Sequence, residues 1–291
     1  MNEEYINLVD DAFKIFNDQM HTYYSRETVE VKLITAETPD DEIAGFLRRF
    51  PEACQEEMFE PGYYKKIKGE ALVTPDRYGI VLRTDIEETG LEWRHIVFHE
   101  ISHVFCSTHE LEDGGSFYKR YCEKDSDNRL NDIFMYEGYA IWREFIADFV
   151  AVLVDVAMPD PTIRGNSKYI RQELNEIAKG EPLAGLKVKN VLIDTLVTAD
   201  MLHAPEKAES LKKLERFEKL QTPSWKALLS TVYDQIFNED GNVWEIDPEF
   251  IKTLGANYSS LVMEVAAGIL KENFNVDDGQ KIMRRMMFGE V

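Results

Sequence analysis

Apolar and polar residues follow two rhythms along this chain. Near its start, Tyr5, Leu8, Val9, Phe13 and Phe16 recur at the spacing of one helix face, with acidic residues between them, which predicts a helix over 3–21. From Val29 to Thr35 the rhythm becomes the alternation of β-branched residues expected of a strand. Pro39-Asp40-Asp41 opens a helix that runs to about Phe50; Pro51 ends it, a second short helix follows through Phe59, and Pro61-Gly62 makes a turn. Ala71 to Thr74 and Tyr78 to Thr84 read as two strands of a hairpin, joined through Pro75-Asp76-Arg77. The second strand leads through Asp85 to Gly90 into a helix from Leu91 to about Ser107, with Ile96, Val97, Val104 and Phe105 on its apolar face. An extended peptide could lie along this strand's edge by main-chain hydrogen bonds.

A polar, turn-rich stretch follows, Glu110 to Asp132, and its Gly114-Gly115 predicts a loop. Asp125 and Asp127 within it lack the spacing of a calcium loop and read as a solvated turn. A long helix comes next, 133–157, apolar on nearly every side late in its course and therefore buried. Pro159-Asp160-Pro161 ends it and marks the expected domain boundary. From there the pattern is helical, over about 166–179, 184–203, 205–220, 223–237, 247–253, 256–273 and 276–288. Asp247-Pro248-Glu249 is a helix start. The expected fold is α+β: residues 1–158 carry a small sheet with one chemistry-bearing helix, and 159–291 form a predominantly helical domain.

Charge narrows the partners. The chain has 291 residues, with 54 acidic and 33 basic side chains, for a formal charge of −21. Such a surface repels phosphate backbones and anionic lipid, so neither nucleic acid nor membrane is an expected partner. It biases any peptide substrate toward neutral or basic sequences. The N-terminus carries Glu3, Glu4, Asp10 and Asp11 instead of a basic and then apolar leader. Three cysteines (Cys54, Cys106 and Cys122) at irregular spacing do not form a disulfide framework. A cytoplasmic protein with reduced thiols is expected.

The chemistry lies in His99-Glu100-Ile101-Ser102-His103, an HExxH sequence on a helix. Residues i and i+4 share a helix face, so both imidazoles can grip one metal ion, zinc by default, and Glu100 can reach a metal-bound water as general base. A hydrolytic zinc site needs a third ligand, and two candidates stand open. One is Glu144 on the long helix, where Asp148 shares its face and could accept a ring N–H from a zinc histidine. The other is His109, in the run HExxHxxCxxH. A related class of zinc protease has glycine at the position held here by Cys106, and a residue with a Cβ resists the turn required there. Catalysis also needs a donor to the developing oxyanion, and the candidates are Tyr136, Tyr139 and His109.

His99-Glu100-x-x-His103 together with Glu144-x-x-x-Asp148 resembles the zincin superfamily of metallopeptidases, and within it the glutamate-ligand branch, the gluzincins. The resemblance covers roughly residues 78–150. It implies a zincin-like N-terminal part, Zn2+ held by His99, His103 and Glu144, Glu100 as general base, and Asp148 orienting a histidine. It implies hydrolysis of a peptide or protein substrate. The alternative is a metal-binding regulatory or interaction protein on the same scaffold, without peptidase activity. In either case the helical C-terminal domain is large enough to bind a protein partner.

Overall fold

Residues 3–87, 90–113, 116–121, 129–155, 176–177, 184–195, 222–236 and 246–273 are described by the computed structural model. They form a mixed α+β protein, mostly helical, with one small sheet. The expected helices over 166–179, 205–220 and 276–288 lie wholly or largely outside the described residues, as do the end of the one expected over 184–203, Gly114-Gly115, Asp125, Asp127, Cys122 and Pro159-Asp160-Pro161. None of the described helices is long and apolar enough to cross a membrane.

The chain divides into two units. The first comprises Met1–Phe117 and Ile146–Ile163. It opens with α1 (Glu3–Met20), which buries Val9, Ala12, Phe13 and Phe16. Then come β1 (Val29–Ile34), α2 (Asp40–Leu47), two 3₁₀ turns (Glu56–Phe59 and Tyr63–Lys65), β2 (Gly69–Val73), β3 (Tyr78–Arg83) and α3 (Leu91–Thr108). The strands stand in the order β1-β3-β2. β1 runs parallel to β3, from Val29↔Tyr78 to Ile34↔Arg83, and β2 runs antiparallel, from Gly69↔Leu82 to Val73↔Tyr78.

That order corrects one expectation. The strand leading into the HExxH helix, β3, is the centre of the sheet and has no free edge; the edge on the other side of it from β1 belongs to β2. The Thr74 amide donates to Arg77 O, and the Arg83 amide donates to Lys68 O, both at 2.9 Å. In an antiparallel pair the backbone groups of alternate residues turn toward and away from the partner. Glu70 and Leu72 therefore face β3, while the N–H and C=O of Gly69, Ala71 and Val73 point outward.

One face of the sheet packs Ile34, Leu72 and Val81 into a core with Ile43, Phe46, Leu47, Phe50, Met58 and Tyr64. α3 packs on β2 and β3, and α1 packs on α3. Tyr5 meets Trp93 edge-on at 4.7 Å, and Phe16 meets Phe105 at 5.9 Å. Trp93 Nε1 donates to Arg83 O at 2.6 Å, pinning the start of α3 to the end of β3.

The second unit comprises Tyr118–Phe145 and Arg164–Val291. Helix α4 (Ser116–Tyr121) lies at the junction of the two units in sequence, and α5 (Arg129–Asp155) starts in the second unit and ends in the first. The polar stretch expected as a loop thus holds α4 and the first turn of α5, because charged and polar residues suit an exposed helix surface as well as a loop. Further on are α6 (Ala184–Thr195), α7 (Pro223–Ile236) and α8 (Pro248–Asn273). The break expected between 253 and 256 is absent: α8 is continuous through Gly255. The reason lies in packing. A Cβ on Gly255 would stand 1.8 Å from Phe134 O, and one on Gly138 would stand 1.9 Å from Ile251 O. The two glycines let α5 and α8 touch backbone to backbone, which overrides glycine's weak helix propensity.

Candidate metal centre

α3 is helical through both histidines and continues past them. His99 and His103 sit one turn apart, and their Nε2 atoms converge to 3.1 Å. Their rings meet edge-to-face, with centroids 4.7 Å apart. His103 is buried, and His99 is partly open. A third ligand atom comes from Glu144. His99, His103 and Glu144 offer ligand atoms that all lie within 4.8 Å of one another.

Asp148 follows Glu144 by one turn of α5, and its Oδ1 meets His99 Nδ1 in a short hydrogen bond. An ionised carboxylate can only accept, so the imidazole proton sits on Nδ1 and the Nε2 lone pair is left for a ligand role. Asp148 is buried, and a carboxylate there is costly unless hydrogen-bonded or offset by charge. The His99 N–H supplies the first of these compensations.

The residues present fit a metal ion. Two nitrogens bound at about 2.0–2.1 Å to one tetrahedral zinc stand about 3.3 Å apart. The observed 3.1 Å is close to that spacing. Two imidazoles and a carboxylate form a donor set that suits divalent transition metals. The group can hold a metal ion.

Glu100 is buried, and its side chain lies against the first residue of β2. A Cβ on Gly69 would come within 2.5 Å of Glu100 Oε1, so only glycine leaves room for this carboxylate. Nearby, burial and then the carboxylate of Glu70 raise the pKa of Tyr64, with Cys54, Tyr63 and Glu100 adding to the rise. The Tyr64 hydroxyl therefore stays protonated.

The remaining candidate residues are placed as follows. His109 caps the end of α3, exposed, with its Nδ1 donating to Phe105 O at 2.9 Å and its ring stacked on Phe105 at 4.0 Å. It does not belong to the ligand group. The chain stays helical through Cys106, so the sharp turn that would return His109 to the metal is not made. Tyr139 is fully buried and Tyr136 is exposed. By helix geometry Tyr139 points about 140° away from Glu144 around α5, and Tyr136 lies about 12 Å along its axis.

Two carboxylates near the histidines carried no signal in the sequence. His95, one turn before His99, pairs its Nδ1 with Asp155 Oδ2 at 2.7 Å, and both are buried. Glu112 lies 3.1 Å from His103 Nδ1 through Oε2. Asp155 is distant in sequence, and Glu112 sits in a polar run where any acidic residue looks solvated.

No protein-family model matches this chain, and neither a curated protein nor a solved structure was found to resemble it.

Proposed function

We propose that this chain is a zinc metallopeptidase, zincin-like in its N-terminal part, with His99, His103 and Glu144 as ligands. The observation that carries the reading is the convergence of the two Nε2 atoms at 3.1 Å beside Glu144. The buried carboxylate of Glu100 against the outer strand of the described sheet supports it further. When bound, zinc would lower the pKa of its water toward neutrality and polarise a substrate carbonyl. Glu100 takes up the proton and returns it to the leaving amine. Asp148 holds the His99 ring in place through Nδ1.

The edge of β2 that no described strand covers is where the substrate lies. Gly69, Ala71 and Val73 offer their outward backbone groups to an extended peptide, which would add as a further strand. Gly69 takes part twice, since its missing side chain also makes room for Glu100. The acidic surface favours peptides that are neutral or basic.

The experiment is a peptide-library digestion beside elemental analysis, on wild type and Glu100→Gln. One zinc per chain in both proteins is expected, with cleavage by wild type and a fall of about 10²–10⁴-fold in the variant. Equal cleavage by the two proteins removes Glu100 from the mechanism. Zinc without any cleavage leaves a metal-binding regulatory protein.

A further inference from the structure

We infer that Glu112 is the positioning residue for His103, fixing its ring and tautomer for the metal; this rests on the metal-site reading above. α3 ends at Thr108, and the chain then reverses at Glu110, which has φ 61°. A non-glycine residue in that left-handed region is uncommon. The reversal is held by two amides, with Leu111 N and Glu112 N donating back to Cys106 O at 2.8 and 3.3 Å. This resembles the way many helices end. Here it also folds Glu112 back along the last turns of α3.

The Glu112 carboxylate then bridges two residues on one face of that helix. Oε2 lies 3.1 Å from His103 Nδ1, and Ser107 Oγ donates to Oε1 at 2.9 Å. The carboxylate is buried, with the side chain only 1% exposed, and His103 beside it is 3% exposed. At that depth a carboxylate is costly unless it is hydrogen-bonded, and the Ser107 hydroxyl and the His103 ring N–H each supply such a bond.

The pairing dictates where the ring proton goes. An ionised carboxylate accepts only, so His103 carries its proton on Nδ1 and a lone pair on Nε2. His99 is held in the same way by Asp148. In those tautomers both histidines turn Nε2 lone pairs toward each other across 3.1 Å, where a cation can bridge them. The two supports come from different places. Asp148 belongs to α5, whereas Glu112 belongs to the segment directly after α3, so the HExxH helix brings its own brace for one of its two ligands.

The test uses the full chain with zinc alone as probe. Nitrogen-15 NMR of the zinc-free protein reads which ring nitrogen of His103 holds the proton. Competition against a chromophoric chelator reads zinc affinity. The proton is expected on Nδ1 in wild type. Glu112→Leu should bind zinc about 10- to 100-fold more weakly, while Glu112→Gln, which keeps the length and an acceptor oxygen, should recover most of the loss. A proton on Nε2 in wild type overturns the inference, as does Glu112→Leu with wild-type affinity. The NMR reading needs no variant, so it decides the matter even if Glu112→Leu fails to fold. Should wild type bind no zinc yet carry the proton on Nδ1, the metallopeptidase reading falls and the hold of Glu112 on His103 stands.

Discussion

Gly69→Ala is a direct probe of where Glu100 sits. The added Cβ would stand 2.5, 2.8 and 2.9 Å from Oε1, Cγ and Cδ of Glu100. Ordinary contacts are about 3.5–4.0 Å, so all three atoms must retreat by about 1 Å. Turning the carboxylate alone does not help, because Cγ is one of the three. Either the whole side chain leaves its rotamer or β2 and α3 part. Overpacking of this kind costs about 1–3 kcal/mol. Against it, replacing glycine in a strand gains about 0.5–1 kcal/mol. Glu100→Ala removes the three nearest obstructing atoms, so in that background the gain should dominate. The coupling between the two sites should therefore be about 1–3 kcal/mol. Urea denaturation of wild type, both single variants and the double variant measures it. Equal effects of Gly69→Ala in the two backgrounds would refute the placement of Glu100. In a peptidase assay the same 1 Å displacement should lower kcat/KM by about 10²-fold, with zinc content unchanged.

Three further outcomes are expected. Gly138→Ala meets backbone at Ile251 O, which cannot swing aside, so it should destabilise by about 3 kcal/mol in urea despite alanine's better helix propensity of about 1 kcal/mol; a variant as stable as wild type would sink the helix crossing. Elemental analysis should find zinc lost from Glu144→Ala and retained in His109→Ala, and the opposite result would move the third ligand to the end of α3. Burial raises the Cys54 thiol from about 9 to about 11. Its charged form is disfavoured in the folded state, so its stabilising contribution is complete below pH 9 and is lost as pH rises toward 11. Melting temperature measured across that range should fall, and Cys54→Ala should flatten the fall.

The helix periods that were strongest in the sequence are the ones the structure follows most closely. α3 starts at Leu91 as expected and ends one residue later than Ser107, because its apolar face continues without a breaker. β1 begins at Val29, and the hairpin of β2 and β3 turns at the expected residues. The sheet order was not legible, since side-chain alternation reports that a strand exists and not which strand lies beside it. Gly255 misled for a related reason: a glycine inside a helical run reads as a break unless its distant partner, Gly138, is known. At the candidate centre, His99 and His103 were visible because their spacing is local. Glu112 was hidden because its position depends on a left-handed residue, Glu110, whose side chain gives no hint of that conformation.

The two rims of the small sheet are built differently, and this bears on how the protein behaves at high concentration. β1 is lined with paired charges: Glu30 meets Arg49 and Arg77, and Lys32 meets Glu42. Such gatekeepers discourage a stranger from pairing there. β2 turns outward the backbone of a glycine, an alanine and a valine, with no such guard on those three residues. Mutual repulsion between molecules carrying −21 each works against two copies stitching together along it. That protection is colloidal and therefore conditional. It fades in concentrated salt and vanishes near the isoelectric point of about 4.7, where solutions of this protein should turn cloudy first.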